Sequence, residues 1–139
     1  MIFWDSSALL ALLVEDEDSV ARSGQLEADP KLAVWWGTAV ECESALQRRL
    51  RDGSLTVADA KFARERLAEL AVAWHEVNPS AAVRKLALRL LRTHPLRAAN
   101  ALQLAAALAV ENAGMLDLRF ACADQKLSTA AAAEGLECV

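Results

Sequence analysis

Short apolar stretches alternate along this chain with longer amphipathic ones. Met1 to Trp4 is apolar and ends at Asp5. Leu32 to Trp36 lies between Asp29-Pro30 and Gly37, and Trp74 to Val77 stops at Asn78-Pro79. Arg119 to Ala123 stops at Asp124, and Leu136 to Val139 is the fifth such stretch. These predict strands, mostly buried on both faces. The intervals carry helical spacing. Over 79–92, Val83, Leu86, Ala87, Leu90 and Leu91 mark one face and Lys85, Arg89 and Arg92 the other. Asn78 is placed to cap that helix, with Pro79 at its first position. Residues 56–73 start at Thr56 and carry Ala60, Ala63, Leu67, Leu70 and Ala71 at helical spacing. Residues 38–52 open T-A-V-E, a capping-box pattern between Thr38 and Glu41, and stop before Gly53. Residues 96–113 are apolar nearly all round, which predicts a buried helix whose only polar stripe is Arg97, Asn100 and Gln103. Strands alternating with helices predict an α/β fold with a parallel sheet covered on both sides.

Composition narrows the picture. A chain of 139 residues with no internal repeat and no Gly-, Ser- or Pro-rich linker makes one compact domain, spanning 1–139. At 55% hydrophobic and 24% charged residues it is neither disordered nor collagen-like, and its wealth of Ala and Leu argues against an all-β fold. No apolar run reaches the roughly 20 residues of a membrane span. The run Ala8 to Val14 has acidic neighbours and no basic segment before it, so it does not read as a signal peptide. Cys42, Cys122 and Cys138 are odd in number and lack metal-type spacing, which fits reduced, mostly buried thiols and a cytoplasmic location. The apolar content and four Trp also suit a homodimer that covers an exposed patch.

Charge is unevenly spread. Residues 1–47 carry nine acids against two bases, residues 48–97 eleven bases against five acids, and residues 98–139 five acids against two bases. The middle segment is suited to a polyanion, although solvated helix faces account for it equally well.

Ligand groups in a parallel α/β sheet gather beyond the carboxyl ends of the strands. Asp5 follows the first predicted strand and Asp124 the fourth, and Glu41 lies in the first turn of the helix after the second. Asn100 is near the start of the buried helix. Taken singly, Asp5 reads as a turn residue, Glu41 as the partner of Thr38 and Asp124 as an N-cap. Taken together, three carboxylates on one edge repel each other unless a hard divalent ion such as Mg²⁺ or Mn²⁺ joins them through oxygen ligands. His75 and His94 fall outside this set. Glu43 points about 200° round its helix from Glu41 and is not expected to ligate. Trp4, Trp35, Trp36 and Trp74 read as core or interface packing, and Cys42 as an inert buried thiol.

The same residues carry a family resemblance over essentially the whole chain. I-F-W-D-S-S-A-L, V-E-C-E-S-A-L-Q-R, R-A-A-N-A-L-Q-L-A-A-A-L and A-D-Q-K-L resemble the four motifs of PIN-domain proteins, and among these the VapC-type toxins of bacterial type II toxin–antitoxin systems. The resemblance implies a three-layer α/β/α sandwich around the parallel sheet. It implies a metal-dependent ribonuclease, hydrolysing RNA phosphodiester bonds with Mg²⁺ or Mn²⁺. It also implies a homodimer and a cognate antitoxin whose C-terminal segment wraps the toxin. It places the metal and catalytic roles on Asp5, Glu41, Asn100 and Asp124, with Ser6 or Ser7 orienting a water. Arg48, Arg49, Lys85, Arg89 and Arg92 are then candidates to hold flanking phosphates. One position departs from the motif: Asn100 stands where the family usually has Asp. The amide keeps an oxygen but loses a charge, which implies a weaker metal site. A PIN-fold module that binds antitoxin or RNA without cutting is the alternative, and an RNA-processing nuclease without an antitoxin is a third reading.

Overall fold

The computed structural model describes residues 1–114 and 117–139. Five strands form one sheet: β1 (Ile2–Trp4), β2 (Leu32–Trp35), β3 (His75–Val77), β4 (Arg119–Ala121) and β5 (Glu137–Cys138). All neighbours are parallel and the order is β3-β2-β1-β4-β5. Seven helices connect them: α1 (Ser6–Leu10), α2 (Ser19–Ala28), α3 (Thr38–Asp52), α4 (Val57–Ala71), α5 (Ala81–Thr93), α6 (Ala98–Asn112) and α7 (Gln125–Ala133).

The central strand β1 is buried on both sides because strand side chains alternate. Phe3 faces one apolar core with residues of α5, α6 and α7, among them Val83, Leu90 and Leu104. Ile2 and Trp4 face a second core with Leu9 of α1, Cys42 and Leu46 of α3, and Ala63 of α4. This is the expected α/β/α sandwich. Phe3 and Phe120 stack across β1 and β4 with ring centroids 5.7 Å apart. Among the described residues no helix is long and apolar enough to cross a membrane.

Several expected boundaries shift, each for a local reason. β3 and β5 are edge strands and only partly buried, so burial on both faces holds for β1, β2 and β4. Trp36 lies beyond β2 and is 53% exposed, while Trp74 precedes β3. Ser80, not Asn78, caps α5: its hydroxyl accepts the Val83 N–H at 3.1 Å. Leu91, expected on the apolar face of α5, is exposed. The Thr38–Glu41 capping box does not form. Gly37 occupies the cap of α3 without a side-chain bond, and Thr38 is buried against α6. A capping box does form at α4, between Thr56 and Asp59.

The chain runs outward from β1 through β2 to β3, then returns to the opposite side of β1 as β4. The crevice beyond the carboxyl ends of β1 and β4 is therefore the switch point of the sheet, where ligands of such folds bind.

Removing one of the stacked rings tests this core. Phe120→Ala is expected to lower unfolding stability by about 3–5 kcal/mol, read from urea denaturation with an unchanged m-value.

Candidate active site

Asp5 leaves β1 directly into the crevice. Its N–H bonds the Ala121 carbonyl at 3.0 Å, so the β1–β4 ladder sets its position. The carboxylate is only 2% exposed. Oδ2 caps α1, accepting the Ser7 N–H at 3.0 Å and the Ser7 hydroxyl at 2.5 Å. Ser7 Oγ in turn accepts the Ala123 N–H at 2.9 Å, which ties the start of α1 to the segment after β4. Oδ1 is buried with no hydrogen-bond partner among the described residues. Burial pushes the Asp5 carboxyl above its ordinary value. The Ser7 bonds oppose that shift, and Asp124 adds repulsion to it.

Asp124 stands three residues past β4 and caps α7. Its Oδ1 accepts the Leu127 N–H at 2.9 Å, and its Oδ2 faces Asn100 Nδ2 at 3.5 Å. Glu41 sits in the first turn of α3, half-buried. Its Oε2 accepts Gln103 Nε2 at 2.5 Å. Burial lifts the Glu41 carboxyl to about 7, against the Gln103 bond and with added repulsion from Asp5. Asp5 is thus within electrostatic reach of both Glu41 and Asp124, and Asn100 joins them through Asp124. Among the described residues no group of three or more His, Cys, Asp or Glu side chains stands as a ready metal cage.

Residues that the pattern did not assign a role hold this arrangement. Gln103 is fully buried in α6, and its amide nitrogen also donates to Thr38 Oγ1 at 3.1 Å. The Thr38 hydroxyl that was expected to cap α3 therefore orients the amide that holds Glu41. The signal was present in sequence: a polar residue on a helix apolar nearly all round must find a buried partner. Cys122 lies between two of the acids, with Sγ 3.8 Å from Asp5 Oδ2 and accepting the Asp124 N–H at 3.2 Å. Burial, with Asp5 beside it, pushes the Cys122 thiol up to about 12. Arg22 is buried as well. It donates to the main-chain oxygens of Cys122 at 2.9 Å and Val139 at 2.8 Å, and nothing in the local sequence pattern announces it.

Other expectations divide. Glu43 points away as expected, paired with Arg64 at 2.8 Å. A cleft of about 520 Å³ opens on Glu41, with Ser6, Ser7, Arg48 and Arg49 in its walls. Lys85, Arg89 and Arg92 do not line it, and Arg89 is paired with Glu134 at 2.7 Å. His94 also bonds Glu134, at 2.7 Å, away from the acids.

The architecture is shared with solved proteins. PAE2754 from Pyrobaculum aerophilum superposes with a TM-score of 0.68 at 22% identity, over 99% of this chain and 83% of that one. VapC20 from Mycobacterium tuberculosis, a toxin that cleaves the sarcin–ricin loop, superposes with a TM-score of 0.67 at 18% identity, over 98% and 96%. A chain of a toxin–antitoxin complex from Klebsiella pneumoniae gives 0.62 at 19% identity, over 91% and 88%. At these identities the likeness is one of fold, and the fold is the PIN-like sandwich that the motifs imply. No family model and no curated protein matches the chain.

The raised carboxyls have a consequence for stability. Asp5 and Glu41 hold protons more tightly folded than unfolded, so their contribution is present at low pH and is lost as pH rises. For Glu41 the window runs from its ordinary 4.5 to about 7. Asp29 and Glu43, both held down to about 2, act in the opposite sense only in more acidic solution. Cation-free protein is therefore expected to melt at a higher temperature at pH 5 than at pH 8, and Glu41→Gln is expected to shrink that gap. A melting temperature that rises from pH 5 to pH 8 contradicts the assignment.

Proposed function

We propose that this chain is a divalent-cation-dependent endoribonuclease and the toxin of a toxin–antitoxin pair. The observation that carries the proposal is Asp5 Oδ1, a buried carboxylate oxygen without a partner, beside two further acids at the switch point of the sheet. An orphaned charged oxygen is costly in a fold unless something completes it.

The donor set fits a hard divalent ion. The available atoms are oxygens, and the acids are spread rather than closed into a cage, which suits Mg²⁺ or Mn²⁺ retaining several waters. Asp5, Glu41 and Asp124 would hold it, with Asn100 as a neutral fourth member. When bound, such an ion polarises a phosphoryl oxygen and acidifies water for attack on phosphorus. The chain's own groups do the positioning. Ser7 fixes Asp5 Oδ2 and Gln103 fixes Glu41 Oε2, so that in each acid the other oxygen is turned to its task. Arg48 and Arg49, in the wall of the Glu41 cleft, supply positive charge for a phosphate beside the scissile one.

Three further parts belong to the same reading. The fold likeness to VapC20 and to the Klebsiella complex supports RNA as substrate and a cognate antitoxin as partner. Exposed Trp36, Leu88 and Leu91 support a homodimer. A cytoplasmic location follows from the substrate. A second reading, binding without cleavage, is favoured by Asn100, whose Nδ2 faces Asp124 Oδ2 where a fourth carboxylate would add charge.

Cleavage of a structured RNA, with Mn²⁺ and with EDTA, separates the readings. The chain is expected to cut only with the ion, and Asp5→Asn to abolish cutting. Asn100→Asp is expected to raise the rate about tenfold, equivalent to about 1.4 kcal/mol of barrier. Cutting by Asn100→Asp alone establishes the binding module. No cutting by either protein under any metal condition overturns the nuclease. Co-purification with a small DNA-binding protein encoded immediately upstream is expected for a toxin and not for a processing enzyme.

A further inference from the structure

Arg22 stands apart from the other cations. Among the described residues it is the only Lys or Arg side chain that is buried, at 9% exposed. No Asp or Glu side chain there pairs with it. Its guanidinium donates instead to Gln25 Oε1 at 2.8 Å and to the main-chain oxygens of Val139 at 2.8 Å and Cys122 at 2.9 Å. A buried cation is costly to a fold unless its surroundings answer the charge. From the Cys122 contact a run of hydrogen bonds leads to a buried acid.

The Cys122 carbonyl and the Ala123 N–H belong to one peptide unit, and a trans peptide turns them to opposite sides. On one side the oxygen accepts from Arg22. On the other the Ala123 N–H donates to Ser7 Oγ at 2.9 Å. An N–H can only donate, so the Ser7 hydroxyl keeps its own proton for a further bond, and Asp5 Oδ2 accepts it at 2.5 Å. All three bonds point the same way, from the guanidinium to the carboxylate. Hydrogen bonds in such a run polarise one another. A cation on the carbonyl makes the N–H a stronger donor, and that N–H makes the hydroxyl a stronger one in turn.

On the cation-dependent reading above, we propose that Arg22 is a positioning residue for Asp5, acting through the Cys122–Ala123 peptide and the Ser7 hydroxyl. A positive charge closes one end of the run and a carboxylate the other. Oδ2 therefore stays committed to Ser7, and the unpartnered Oδ1 is the oxygen presented to a divalent ion. Arg22 itself lies behind the peptide and takes no part in ligation. The role gives a reason for burying an arginine on α2, and it makes that helix part of the frame of the site.

The test is Mn²⁺ binding to the RNA-free protein, measured by calorimetry. Arg22→Met is expected to weaken binding about tenfold, as loss of a partner one step behind a metal ligand does, and Ser7→Ala by a similar factor. Arg22 and Ser7 share no hydrogen bond, so independent effects multiply to about 100-fold in the double variant. A single run is already cut by Ser7→Ala, so the double variant is expected to bind no more weakly than Ser7→Ala alone. Gln25→Ala removes an Arg22 contact that lies off the run and is expected to leave affinity unchanged. A readout free of the ion is the Ala123 amide proton, whose resonance is expected to move upfield in Arg22→Met as its bond to Ser7 weakens. Thermal melting verifies that each variant folds. If Arg22→Met does not, Arg22→Lys, which keeps the charge but not the planar fork, carries the same cycle with a smaller loss. An unchanged affinity in the Arg22 variant, multiplied losses in the double variant, or a Gln25→Ala as damaging as Arg22→Met overturns the inference. So does an Ala123 proton that ignores Arg22. Any of these in a parent that binds Mn²⁺ and cuts RNA leaves the nuclease standing. A parent that binds no Mn²⁺ sinks both.

Discussion

A buried carboxylate must shed its charge or find a partner, and several side by side compound the cost. This fold gathers Asp5, Glu41 and Asp124 at one edge of its sheet, and much of the surrounding structure manages the consequence. Each acid divides its two oxygens between two duties. One oxygen is committed to the fold: Asp5 Oδ2 to the start of α1, Asp124 Oδ1 to the start of α7, Glu41 Oε2 to Gln103. The other is left over: buried and orphaned in Asp5, turned to Asn100 in Asp124. The structural and the chemical readings of these residues are therefore not rivals. Helix capping is what aims the spare oxygen, because a carboxylate fixed through one atom holds the other in place.

The order of support runs outward from there. Ser7 joins Asp5 to the segment after β4, so the positions of two acids are coupled through one hydroxyl. Thr38 and Gln103 do the same between α3 and α6. Arg22 clasps the main chain at Cys122, two residues before Asp124. Cys122 fills the space between the acids with a neutral thiol, since burial and its charged neighbour hold its proton firmly. The acids are thus held by hydrogen bonds to their own elements and neighbours, while Asp5 Oδ1 is left without a partner among the described residues.

How far this could be read from sequence depends on the range of each interaction. Asp5 and Asp124 follow apolar runs, and parallel strands carry such residues to a common edge, so their meeting was legible. Glu41 was legible by the same rule, but its local partner was not. T-A-V-E has the form of a capping box, and Thr38 was lost to it because α6 packs over the start of α3, a contact between residues 65 apart in the chain. The limits of β3 and β5 were misjudged because apolar content does not tell a central strand from an edge one. Segment charge pointed to a polyanion without telling which cations are available. Arg64 and Arg89 answer acids on neighbouring elements, whereas Arg48 and Arg49 face a cleft.

The sheet order also governs when the chemistry can exist. β1 is the centre of the sheet, yet its neighbour β4 is synthesised more than a hundred residues after it. Asp5 has its place only once that neighbour has docked. On a ribosome, a growing polypeptide carries the first acid through the synthesis of more than a hundred residues before β4 can pair beside it. A product lacking β4 cannot bring Asp5 and Asp124 together at one edge of the sheet.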